Sequence, residues 1–124
     1  MNVGDSRAIM CNVEGGDVSA MELSTDHKPY HPIEKERIEK SGGEILPKEG
    51  TSGPLRVWKK FEEVPGLAVS RTLGDLLGHT VGISAEPDIE FWKLYQEDYF
   101  IVLASDGIWD VMNSAEVIGF ILKE

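Results

Sequence analysis

Phe100-Ile101-Val102-Leu103-Ala104, running straight into Ser105-Asp106-Gly107, is the stretch on which the reading of this chain turns. An unbroken apolar run of this length predicts a strand buried on both faces, since a half-buried strand alternates with polar residues. A carboxylate at the end of such a strand is costly to place unless its charge is compensated. The strand fixes the position of Asp106, and Gly107 lets backbone or ligand come close. That combination suits a rigid ligand for a hard divalent cation, which takes oxygen donors. Asp110, one turn further on, is spaced to face the same way and hold a metal-bound water. An aspartate that caps a turn or accepts backbone N–H bonds is the commoner explanation, and from this segment alone it stays open.

Upstream, residues 6–13 and 18–23 are two short β-leaning runs separated by Glu14-Gly15-Gly16-Asp17, whose paired glycines predict a tight hairpin. Residues 32–40 read as a helix. Pro32 suits its first position, Glu34 and Glu36 its positive end, and Gly42-Gly43 its termination. With only Ile33 and Ile38 apolar, it should lie on the surface with one edge buried. Residues 47–54 read as a loop and Leu55 to Lys59 as a short strand. Leu67 to Leu73 fits helix or strand, Gly74 and Gly78 mark a further loop, and Ile89 to Leu94 alternates as a strand would. Downstream, Asn113 and Glu116 predict a capping box opening a last helix, to which Val117, Ile118, Phe120, Ile121 and Leu122 give a broad apolar face. The fold class is α+β.

With 124 residues and 41% hydrophobic content, the chain suits one small globular domain with a single core. Its 22 acidic and 12 basic side chains give a formal charge of −10, which repels nucleic acid and anionic lipid, and neither is expected as a partner. The same charge suits carboxylates that await cations, although a solvated acidic surface is the plainer reading. The lone Cys11 excludes an internal disulfide framework and suits a reducing compartment. The apolar run at 100–104 is far below the roughly 20 residues of a membrane span, and no leader-like segment opens the chain. Cytoplasm or nucleus is the expected location.

Other candidates are weaker. Asp5, in Gly4-Asp5-Ser6-Arg7, also reads as a turn or as a partner for Arg7, and Asp75 in Leu73-Gly74-Asp75 reads as a turn by default. His27, His31 and His79 lack zinc-site spacing and read as polar loop residues. Ser6, Ser70 and Ser105 have no elbow-type glycine frame, and no nucleotide-binding glycine motif is present. Trp58, Trp92 and Trp109 read as packing residues.

Four segments occur together and in order as in the metal-dependent serine/threonine protein phosphatases of type 2C. They are Asn2-Val3-Gly4-Asp5-Ser6-Arg7, then Asp26-His27-Lys28-Pro29 with Glu36-Arg37-Ile38 and Gly42-Gly43, then Leu67 through Asp75, and Ala104-Ser105-Asp106-Gly107-Ile108-Trp109-Asp110. Glu86-Pro87-Asp88-Ile89 also stands in the expected place, so the resemblance covers essentially the whole chain. It implies part of a two-sheet antiparallel β-sandwich flanked by helices, with a binuclear Mn²⁺ or Mg²⁺ centre at one edge. There a bridging water attacks the phosphorus of a phosphoserine or phosphothreonine in a protein substrate. By resemblance Asp106 matches a metal-binding aspartate and Asp5 one associated with a third, looser metal, where Asp110 assists. Residues 26–63 resemble the region leading into and including a flap that shapes substrate choice. Arg56 to Lys60 and Pro65 to Leu67 resemble plant and protist members more than animal ones.

The departures are equally specific. The family's Asp-Gly-His-Gly-Gly segment, its phosphate-gripping arginine and an Asp-Asn metal segment are absent. Residues 1–124 are therefore expected to be a partial phosphatase domain, inactive alone, because a few carboxylates cannot hold a binuclear centre. Two other readings are carried forward: a non-catalytic phosphatase-like module that binds a protein partner, and a structural domain with no ligand. Oligomeric state and substrate identity are left open.

Overall fold

Gly15 and Gly16 adopt φ of 61° and 94°, the left-handed pair that a two-residue hairpin turn demands, and they join β1 (Arg7–Glu14) to β2 (Asp17–Glu22). The computed structural model describes residues 1–123. In it the chain forms two compact units, Met1–Asp26 with the chain from Asp88 onward, and His27–Pro87.

In the first unit β6 (Asp98–Ala104) pairs antiparallel with β1, giving a three-stranded sheet of order β2-β1-β6. Two helices follow β6: the single turn α3 (Asp106–Trp109) and α4 (Ser114–Ile121). Alternation along the strands turns Ile9, Cys11, Phe100 and Val102 to one face, where Val117 and Ile118 of α4 pack on them. Burial also pushes the Cys11 thiol pKa up. The α4 N-terminus carries the expected capping box: the Asn113 side chain accepts from the Glu116 N–H at 3.0 Å, and the Glu116 carboxylate accepts from the Asn113 N–H at 2.7 Å. Asn113→Ala should cost about 1 kcal/mol in urea unfolding; no loss would mean that the cap is redundant.

The second unit is built on α1 (Pro32–Lys40), the predicted helix, and on a sheet of order β3-β4-β5, with β3 (Gly43–Pro47), β4 (Leu55–Lys59) and β5 (Pro65–Leu67) all antiparallel. Its core is Ile38, Val57, Val81 and Ile83, with Ile45 and Leu67 against it. Glycine is required at 43, because a Cβ there would lie 2.6 Å from the Val81 carbonyl oxygen and 2.7 Å from Ile38. A short helix, α2 (Leu76–His79), occupies the stretch expected to be loop, capped by the Asp75 side chain.

Several expectations are corrected. Among the described residues there are two hydrophobic clusters, not one core. Strand β6 is buried on one face only: Tyr99, Ile101 and Leu103 are 70%, 49% and 79% exposed, because on that face the cover reaches Met10 of the central strand β1, 2% exposed and paired with Ile101, but not the edge strand β6. The alternating stretch Ile89–Leu94 forms no strand. Only Asp88 is bridged, to Asn2, and without a neighbouring strand the alternation has no ladder to join. Leu67 ends β5, and the residues after it run irregularly because the Ser70 and Arg71 side chains are drawn to α1. His27 lies in a loop as expected, but it is buried there, at 2% exposed.

Candidate functional site

The last pair of the β1–β6 ladder is Arg7 with Ala104. Antiparallel pairing therefore brings the chain before Arg7 and the chain after Ala104 out at one end of the sheet, so Asp5-Ser6 and Ser105-Asp106 emerge there together. Asp106 opens α3 after Ser105, and its carbonyl oxygen accepts the Asp110 N–H at 2.8 Å, which puts Asp110 one turn on. Asp106 and Asp110 are exposed and Asp5 is half-buried.

Polar contacts brace this end. The Arg7 guanidinium forks onto Asp26, with Nε to Oδ1 at 3.0 Å and Nη2 to Oδ2 at 2.8 Å. Its Nη1 donates to Ser114 Oγ at 3.3 Å, and the guanidinium carbon lies 5.1 Å from the centroid of the Trp109 ring. The Trp109 indole N–H donates to the Ala104 carbonyl at 2.7 Å, closing the turn that presents Asp106. The turn is thus positioned by its neighbours rather than left to the loop. Among the described residues, however, no three His, Cys, Asp or Glu side chains form a group that could hold a metal ion. Asp5, Asp106 and Asp110 do not make a metal centre by themselves, and no chemical step through a metal follows from these residues alone. Asp75, the weaker candidate, is occupied as a helix cap, accepting the Gly78 N–H at 3.2 Å.

The strongest electrostatic feature lies in the second unit and was not read from the sequence as a site. The Glu34 carboxylate, 4% exposed, accepts from Arg37 Nη1 and Nη2 at 2.9 and 2.7 Å, from Arg71 Nη2 at 2.7 Å and from Ser70 Oγ at 2.6 Å. Arg37 also donates to the carbonyls of Ser70 and Gly82, and Arg71 to that of Glu86. Burial pushes the Glu34 carboxyl up, but the hydrogen bonds from Arg37, Arg71 and Ser70 outweigh it and hold the group well below the usual carboxylate range. A carboxylate so saturated has no proton to trade, so its role is to fix the residues after β5 onto α1. The spacing of Glu34 and Arg37 was a visible i,i+3 signal; the partners at 70 and 71 were not.

This arrangement of antiparallel sheets and helices agrees with the comparisons to known proteins. The model of the protein phosphatase 2C family matches residues 1–124, and the chain belongs to that family. Among its relatives, Probable protein phosphatase 2C 61 of Arabidopsis thaliana is 42% identical over 123 residues, covering 98% of this chain and 38% of that protein. Probable protein phosphatase 2C 64 of rice (Oryza sativa subsp. japonica) is 38% identical, over 97% of this chain and 29% of that protein. The crystal structure of a serine-threonine phosphatase 2C from Toxoplasma gondii superimposes with a TM-score of 0.86 at 27% identity, over 98% of this chain and 41% of that one. A sex-determining protein of C. elegans matches at a TM-score of 0.76 and 30% identity, over 94% of this chain and 25% of that one. The chain thus spans well under half the length of these relatives.

Proposed function

We propose that the protein carrying this chain hydrolyses phosphoserine and phosphothreonine in protein substrates with Mn²⁺ or Mg²⁺, and that Asp106, Asp5 and Asp110 are this chain's contribution of carboxylate donors. One observation carries the reading: family membership across residues 1–124 coincides with Asp5 and Asp106 leaving the same end of the β1–β6 ladder. Hard cations need several fixed oxygen donors, and the described residues offer no complete group. The 124-residue chain by itself is therefore inactive. Residues 26–63 serve as the flap that shapes substrate choice, and the protein works in the cytoplasm or nucleus.

The test is hydrolysis of a phosphothreonine peptide, with and without Mn²⁺, by the 124-residue chain and by a polypeptide extended to the length of its relatives. Mn²⁺-dependent turnover from the longer polypeptide alone is expected. Turnover by the short chain that Asp106→Ala abolishes would overturn its inactivity. Silence from both would favour the non-catalytic binding module, whose motivation is the incomplete donor set.

A further inference from the structure

The β3-β4-β5 sheet has two faces of opposite character. Ile45, Val57 and Leu67 point to the core with Ile38. Period-two alternation sends Glu44, Leu46, Arg56 and Trp58 to the other face, where Glu44 lies across from Trp58 and Leu46 across from Arg56. Among the described residues no element of this unit covers that face, and a groove of about 860 Å³ opens along it.

Its floor is held in place before anything binds. The Trp58 indole N–H donates to the Leu46 carbonyl at 2.9 Å, so the ring is tied down across the strands. The ring also rests against Gly66, where an added Cβ would lie 2.8 Å from its edge. Arg56 is tied by donation to the Gly66 carbonyl at 2.6 Å. A pinned aromatic face is low in entropy cost to a ligand that stacks on it. At the turn between β4 and β5 stands Phe61, fully exposed at 101% and at φ 64°. A bulky side chain rarely adopts that left-handed backbone, and strain held at an exposed residue points toward use. Four glutamates, Glu44, Glu49, Glu62 and Glu63, line the groove against two cations, Lys48 and Arg56. Glu62 is held by the Lys59 ammonium at 2.6 Å and Arg56 is already committed to the Gly66 carbonyl, so Glu44, Glu49 and Glu63 stand against Lys48 in the lining.

We propose that this groove docks an extended segment of the phosphoprotein substrate in which lysine or arginine alternates with an apolar or aromatic residue. The proposal rests on the phosphatase reading above and adds a recognition surface to it. The apolar residue packs between Phe61 and Trp58, and the cation reaches the glutamates or the face of the indole. The acidic lining disfavours segments rich in aspartate and glutamate, so the groove discriminates by charge as well as by shape.

Two measurements separate this proposal from the phosphatase reading. The first is binding of unphosphorylated peptides to the chain, followed by Trp fluorescence: a Lys/Arg–Phe peptide against the same peptide with Asp and Glu in place of the cations. The basic peptide should bind at least tenfold more tightly, with an affinity that falls as salt rises. E62K/E63K should remove that preference. Phe61→Gly should weaken binding while raising Tm, because glycine relieves the positive φ, a pairing that a purely structural Phe61 would not give. The second is turnover by the extended polypeptide. E62K/E63K should raise KM for a basic phosphopeptide and leave kcat unchanged, with p-nitrophenyl phosphate hydrolysis untouched. If the two peptides bind within twofold of each other, or the charge reversal leaves the preference intact, the docking proposal is wrong whatever the enzyme does. If neither phosphate ester turns over while the binding preference holds, the phosphatase reading fails and the groove stands as a binding surface for basic segments without its catalytic context.

Discussion

Glu34→Ala should destabilise the fold by about 3–5 kcal/mol, the cost of removing one partner from a buried ionic cluster. The carboxylate is 4% exposed and is the shared acceptor of Arg37, Arg71 and Ser70, so its loss removes the one anion that ties these three donors together. Those groups fasten the irregular residues after β5 to α1, and the variant should unfold locally there first. The pH dependence has a definite sign. The folded-state pKa of Glu34 lies below its ordinary value of 4.5. Its contribution is therefore complete above that pH and is lost as the pH falls toward the depressed folded-state value. Stability of the wild-type chain should accordingly decline with acid below pH 4.5, and Glu34→Gln should show a flatter profile in the same window. Urea unfolding across this range checks both. A loss under about 1 kcal/mol, the usual size for a surface pair, would demote the cluster to an exposed salt bridge.

The second large effect concerns catalysis. In the extended polypeptide, Asp106→Asn should lower kcat/KM for a phosphothreonine peptide by at least about 100-fold, more than the 10–100-fold typical of residues that only orient a metal ligand. The substitution keeps the size and hydrogen-bonding reach of the side chain and removes its charge, so packing of the α3 turn is preserved. Asp5→Asn and Asp110→Asn should cost less, because the family resemblance associates them with the third, looser metal. If all three variants keep wild-type turnover, the carboxylates at the end of the β1–β6 ladder have no part in the chemistry.

What could be read from the sequence follows the range of the interactions involved. The β1–β2 hairpin, α1 and the capped start of α4 are set by neighbours within a few residues: Gly15-Gly16, Pro32, and the Asn113–Glu116 pair. The position of Asp106 after a strand was equally visible, since a strand ending at Ala104 is a local pattern. Burial of β6 on both faces was not, because an apolar run states what a strand can bury and not which neighbours are present. Ile89 to Leu94 failed for the same reason. Glu34 looked like a charge suited to a helix N-terminus, and its burial depends on Ser70 and Arg71, which the fold brings to it from 36 and 37 residues away. The groove on β3-β4-β5 was hidden differently: Trp58 read as packing, and it does pack, on Gly66, but with its sheet face left open.

Equilibrium binding of Mn²⁺ to the extended polypeptide and to its Asp106→Asn variant, followed by titration calorimetry, tests the central claim most directly. The account predicts tight Mn²⁺ binding by the parent and a loss of affinity of at least about tenfold in the variant, since a ligand should matter no less than the groups that orient one. Equal stoichiometry and affinity in the two proteins would contradict it and would leave Asp106 as the cap of a turn.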